Sequence, residues 1–242
     1  MKACCRRTKA WAFVAWGFML MSGSAFAQTA VYPPGGPKLP RWSDLPNWDS
    51  VWERSSDVVW DDRIPVGRPQ VPPYNAQYMP LYAKALSQRR AQGGATPGSP
   101  PPPLAGIHGM PGFMTMMRPM DVQVTPYETL IVSESGELRH IYTDGRLQPE
   151  NALPSPWGHS VGRWEDKTLV VETCCVSPDF ALFGGGPHSD AMHITERFYS
   201  PKPNMLVDEI SVEDPKAFTQ PWTTVKTFYR RPEWELLPPG GG

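Results

Sequence analysis

Gly158-His159-Ser160-Val161-Gly162-Arg163-Trp164-Glu165-Asp166-Lys167-Thr168-Leu169-Val170-Val171-Glu172-Thr173 decides the fold class. Two short runs flank a tight polar turn at Glu165-Asp166-Lys167, which reads as an antiparallel hairpin. A second stretch, Pro187 to Phe198, then brings His188, Asp190, His193, Glu196 and Arg197 within ten residues. Three of the chain's five histidines, His159, His188 and His193, lie in these two stretches. Histidine titrates nearest physiological pH and is the commonest metal ligand, so chemistry is sought here first.

Outward from the hairpin, from Asp121 onward, the hydrophobic pattern has period two. Strands are expected over Glu128–Ser133, Leu138–Thr143, Ser160–Trp164, Thr168–Thr173, His193–Ser200, Met205–Glu213 and Thr223–Arg230. Ser135-Gly136, Asp144-Gly145, Pro201-Lys202-Pro203-Asn204 and Asp214-Pro215 carry turn chemistry between them. Short links favour antiparallel neighbours. An eighth strand within Asn47–Arg54 would close a mostly β antiparallel meander into a closed or nearly closed barrel, large enough for one small ligand. An open sheet covered by a helix is the alternative.

The N-terminal half is different. Residues 1–27 read as a secretory signal peptide: Lys2, Arg6, Arg7 and Lys9, then an apolar run of 12 residues from Ala10 to Met21, then Ala25-Phe26-Ala27 before Gln28. Residues 28–103 read as a long Pro-rich and Trp-rich arm, with Trp42, Trp48, Trp52 and Trp60 pinning it to a core. One helix is expected near 75–91, where Tyr78, Leu81, Tyr82, Ala85 and Leu86 recur at helical spacing. Residues 92–103 form a Gly/Pro/Ser linker, and residues 104–242 the barrel domain, with no internal repeat.

Composition narrows the function classes. The chain carries 23 basic and 24 acidic residues, and removal of the leader leaves 19 and 24. No basic cluster suits a phosphate backbone, so nucleic acid is not an expected partner. No apolar run beyond the leader reaches the ~20 residues of a membrane-spanning helix. The expected product is a soluble periplasmic or secreted protein. Two cysteines would remain, the adjacent Cys174-Cys175. Neighbouring side chains on a strand point to opposite faces, so one buried thiol and one facing the other way are expected. No zinc-binding spacing is present. Met110, Met114, Met116, Met117 and Met120 read as fillers beneath a loop rather than a copper site.

Four strings, Arg139–Arg146 (R-x-I-Y-x-D-G-R), Gly158–Thr173 (G-H-S-x-G-x-W-E-x-x-T-L-V-V-E-T), His188–Phe198 (H-S-D-A-x-H-x-x-E-R-F) and Asp214–Trp222 (D-P-x-x-F-T-x-P-W), resemble a large, mainly uncharacterised group of exported bacterial proteins. The resemblance spans roughly residues 110–225 and implies a shared domain without an established activity. Leu147-Gln148-Pro149 stands where that group leads one to expect His-Pro, and Cys174-Cys175 where it leads one to expect Val-Gly. Asp49-Ser50-Val51-Trp52 is similar to the G-x-W of the first strand of lipocalin-like barrels, without the glycine.

His159, His193, Glu196 and Asp144 are the candidate acid–base residues, gathered near the barrel mouth. Tyr142, Trp164 and Arg197 are the candidates to grip a flat ligand. Parity leaves the strand faces open: His193, Thr195, Arg197 and Tyr199 share one face and Ile194, Glu196 and Phe198 the other. Leu206, Asp208, Ile210 and Val212 likewise face away from Val207, Glu209 and Ser211. Arg197 and Glu209 could form a surface ion pair, and Arg139 and Arg146 could be ordinary exposed charges. A metal site from His159, His188 and His193 is the weaker alternative; metal-free and cofactor-free function is expected. Gly158–Gly162 is no nucleophile elbow, because another strand follows it rather than a helix. The reading is a barrel for a small apolar or aromatic molecule, with cofactor-free chemistry of isomerase, lyase or hydratase type. The alternative is a non-catalytic periplasmic module holding a ligand, a metal or a protein.

Overall fold

The computed structural model describes residues 29–37, 39–55, 60, 70–91, 109–116, 118–182 and 186–236. The expected leader and the expected linker over 92–103 lie outside them.

Nine strands close a barrel: β1 (Ser50–Arg54), β2 (Met120–Val124), β3 (Glu128–Ser133), β4 (Leu138–Tyr142), β5 (His159–Glu165), β6 (Thr168–Cys174), β7 (His193–Lys202), β8 (Met205–Glu213) and β9 (Trp222–Arg230). Each pairs with the next in sequence, and β9 returns to β1 through Trp52↔Arg230 and Arg54↔Phe228. Two features depart from the antiparallel eight-strand expectation. β2 is an additional strand, five residues long and preceded directly by Pro119. β4 and β5 run parallel, through Ile141↔Ser160 and Tyr142↔Val161, because residues 143–158 carry the chain back along the wall before β5 begins. The barrel is therefore mixed.

The β5–β6 hairpin forms where the sequence places it. Its seven register pairs run from His159↔Cys174 to Glu165↔Thr168, and Asp166 takes a left-handed backbone at the turn, a conformation that aspartate tolerates. The pleat turns Leu169, Val171 and Thr173 inward, opposite Phe198, Glu196 and Ile194. A fully buried Leu or Ile contributes roughly 1.5–3 kcal/mol, and Leu169, Ile194, Leu206 and Val212 are all buried here. Gly162 faces the same interior. A Cβ there would meet Leu169 Cδ1 at 2.9 Å and Ile141 Cγ2 at 3.0 Å, so glycine is what lets these walls approach.

The arm is pinned by three of its four tryptophans. Trp48, Trp52 and Trp60 are buried. Trp48 lies against Trp164, with ring centroids 5.3 Å apart, and Trp60 stacks on Trp222 at 3.8 Å. Trp42 is 66 % exposed and does not pin the arm. Helix α1 (Met79–Ala91) starts four residues later than expected. Asn75 explains the delay, since its Oδ1 accepts from the N–H of Gln77 and Tyr78 and holds a turn first. Tyr82 is buried, and Tyr78 and Leu86 pack against the same core. Leu81, expected on the same face, is exposed. A short helix, α2 (Gly112–Thr115), supplies Phe113 and Met114 to the core, with Met110 and Met120 buried nearby.

Candidate functional site

The inner faces of neighbouring strands bring charged side chains to the middle of an apolar lumen. Arg139 of β4 is 1 % exposed and Glu196 of β7 is 0 % exposed. They form a two-pronged ion pair, Nη1 donating to Oε1 at 2.8 Å and Nη2 to Oε2. Such fork-to-fork contacts are among the strongest polar interactions in proteins. Arg139 Nη2 also donates to Ser160 Oγ at 3.3 Å and Thr173 Oγ1 at 3.2 Å, and those hydroxyls lie 2.7 Å apart. Three of the four quoted strings thus meet in one cluster. The fourth joins the third near the end of the barrel, where Asp214 accepts from the N–H and the hydroxyl of Ser189, both at 2.6 Å.

Asp208 is the unusual member of the interior. It faces Lys226 in the β8–β9 register, and both are 0 % exposed. Among the described residues neither carboxyl oxygen of Asp208 has a hydrogen-bond partner, and the buried Thr129 and Thr224 hydroxyls and Arg139 Nε also lack one. Burial first, then the charge of Glu196, pushes the Asp208 carboxyl well above the usual range; Arg139 and Lys226 pull the other way with less effect. Two inward carboxyls therefore have contrasting environments, Glu196 gripped by a guanidinium and Asp208 unpaired. A buried carboxyl in the position of Asp208 favours its protonated form.

The other expected residues divide across the wall. On β7, Glu196 points inward while His193 and Arg197 point outward. Arg197 Nη1 reaches Glu165 at 3.2 Å, and Glu209, although opposite Arg197 in register, accepts from Tyr199 Oη instead. His193 Nε2 is 4.0 Å from Glu172 on the outer face. Trp164 is half-buried against Trp48, and its Nε1 has no partner. His159, Tyr142 and Asp144 do gather, on the outer wall rather than in the lumen. The His159 and Tyr142 rings lie 5.5 Å apart, and the Arg146 guanidinium sits 3.7 Å over Tyr142. Arg146 grips Asp144, which also accepts from Tyr32 Oη at 2.8 Å. Burial would raise the Asp144 carboxyl, but the hydrogen bonds from Arg146 and Tyr32 outweigh it and leave it lowered. Burial, and then the charge of Arg146, lowers the pKa of His159.

Arg139 and Arg146 are thus not free surface charges. His188, in the weaker metal alternative, is buried, with Nδ1 3.0 Å from the Ser189 carbonyl and Nε2 2.9 Å from that of Phe180. Both nitrogens face acceptors, so this ring braces a loop and has no lone pair directed at an open position. No cluster of three or more histidine, cysteine or acidic residues suited to a metal occurs among the described residues. Cys174 and Cys175 are both buried, contrary to the expected split, because Cys175 leaves the strand with φ at 62°.

Arg139, Asp208, Lys226, Ser160 and Thr173 were not among the expected functional residues. A signal for two of these charges, Asp208 and Lys226, does exist, and Glu196 shares it. Ile194-Glu196-Phe198, Leu206-Asp208-Ile210 and Thr224-Lys226-Phe228 each put one charge on an otherwise apolar or neutral alternate row. Three adjacent strands repeating that exception mark a polar centre. A separate surface groove of about 650 Å³ runs along β1 and β2, bordered by Trp42, Asp121, Trp234 and Glu235. Among protein-family models, curated proteins and solved structures, none matches this chain.

Proposed function

We propose that this is an exported barrel whose lumen takes one small, flat, largely apolar molecule carrying a polar group. Asp208 carries the reading, as a fully buried carboxyl with neither oxygen hydrogen-bonded among the described residues. A buried polar group left unpaired calls for an explanation such as a bound ligand or water. Held neutral, Asp208 would donate a hydrogen bond or a proton to the ligand, while Glu196 stays gripped by Arg139. The apolar and aromatic neighbours Phe198, Leu206 and Phe228 suit a single ring. This assigns any cofactor-free acid–base step, of isomerase, lyase or hydratase type, to the interior carboxyls and takes it away from the outer histidines. Export rests on the basic, apolar, Ala-x-Ala order of residues 1–27.

The test is native mass spectrometry of the purified protein, followed by titration of the released molecule against tryptophan fluorescence. Binding that Asp208→Asn leaves untouched would remove the lumen reading. The non-catalytic alternative is separated by turnover: a carrier releases its ligand unchanged, whereas an acid–base site converts it, and Asp208→Asn loses that turnover even at ligand concentrations that fill its weakened site. An N-terminus other than Gln28 on periplasmic protein would contradict the export step.

A further inference from the structure

We infer that Cys174 and Cys175 form an oxidisable dithiol that a small hydroperoxide converts to a vicinal disulfide. In a regular strand the two side chains would point to opposite faces. Here β6 ends at Cys174 and Cys175 turns left-handed, with φ at 62°. A left-handed backbone is strained for a residue bearing a Cβ, and strain of this kind is a pointer to function. Its consequence is geometric: the two Sγ atoms lie on one side, 2.9 Å apart. They stand within about 1 Å of the length of an S–S bond, near 2.05 Å.

The surroundings hold that arrangement. The Cys174 thiol donates to Gln148 Oε1 at 3.5 Å, and the Cys175 carbonyl accepts from Ser155 N–H at 3.1 Å. Gly158, with φ at 67°, keeps the opposite side open to the backbone, since a Cβ there would meet the Cys174 carbonyl oxygen at 2.3 Å. Both cysteines pack with Ala152 and are 1–2 % exposed. That burial disfavours a protein disulfide as oxidant. It favours a molecule little larger than water, admitted when the irregular 143–158 connection opens locally.

The chemistry balances. One thiolate sulfur attacks a peroxide oxygen; the S–O bond forms as the O–O bond breaks, giving a sulfenic acid and, with a proton, water or an alcohol. The neighbouring thiol then attacks the sulfenic sulfur, forming the S–S bond and releasing water. Two electrons pass from the thiol pair to the peroxide, and both thiol protons end in the products. The ring is tight, because adjacent Cα atoms are closer than a relaxed disulfide prefers. A mild dithiol should therefore reopen it.

The experiment exposes fully reduced protein to hydrogen peroxide, then unfolds it in an alkylating agent and maps the peptides by mass spectrometry. Met79, 44 % exposed, is the internal control, since its sulfoxide shows that oxidant was delivered. The expected result is simultaneous loss of both alkylation sites, a mass lower by two hydrogens, and full recovery with dithiothreitol. In Cys175→Ser, Cys174 should instead give a dimedone-trapped sulfenic acid and proceed to sulfinic acid. Two alkylatable thiols after Met79 has oxidised would overturn the inference. So would sulfinic acid on the wild-type pair, or a disulfide between chains. The wild-type result stands even if the variant does not fold.

Discussion

Glu196 and Arg197 are sequence neighbours on one strand, yet they lie in different media. Glu196 is sealed in the lumen and gripped by Arg139, whereas Arg197 meets Glu165 in solvent, both side chains more than two-fifths exposed. The ions are chemically alike in the two pairs, so the difference comes from the surroundings. In the lumen each ion has lost its water and depends on its partner. On the outer wall water and salt replace a lost partner at almost no cost. The inner cluster is therefore the place where a single atom matters to stability and chemistry.

The largest expected effect is at Arg139. Arg139→Ala strands the Glu196 carboxylate in an apolar interior and should cost about 3–5 kcal/mol, read as a lower urea midpoint at pH 7. The double change Arg139→Met with Glu196→Leu should recover most of that loss, because it removes both ions together. A double variant as unstable as the single one would mean that the lumen needs the pair for more than mutual neutralisation.

Asp208 comes next. Its folded pKa is raised above its unfolded value, so the folded state holds the proton more tightly. The stability this contributes is complete below the unfolded pKa, about 3.9, and is lost as pH rises toward the folded one. Asp208→Asn should flatten that decline and be the more stable protein at the alkaline end of a denaturation series. Parallel pH profiles for the two proteins would show that Asp208 finds a partner in solution.

A smaller effect of opposite sign belongs to the outer wall. The pKa of His159 is lowered by burial and by Arg146. Its contribution is therefore present above the unfolded pKa, about 6.5, and is lost as pH falls through the folded value. His159→Gln should soften the acid limb of the stability curve, with His188, lowered by burial in the same direction, still titrating. An unchanged acid limb would assign it to His188 and to lowered carboxyls such as Asp144. The smallest effect is Arg197→Ala, where a minor loss at low salt should vanish at high salt. A large, salt-independent loss would contradict the contrast between the two walls.

Much of the fold was legible. The β3 and β8 limits coincide with the period-two runs, because one buried face and one wet face leave a clear alternation. β2 was missed, being short and entered from a proline. The parallel β4–β5 pairing was hidden because nothing in residues 143–158 announces which way the chain returns. For the candidate site, Glu196 was grouped with His193 and Arg197, which the pleat places on the other side of the wall. Arg139 was passed over because an arginine in R-H-I-Y has no mark that separates a lumen from a surface.

The sequence alone determined eight of the nine strands, most of their turns and the alternation of faces, because these depend on neighbours two to four residues apart. Tertiary structure alone decided which face is the inside. Barrel closure brings Arg139 and Glu196, 57 residues apart, into one lumen, and only there does a carboxyl such as Asp208 lose its water. Local pattern specifies the period of a strand. The medium each side chain experiences is set by the strands that close around it.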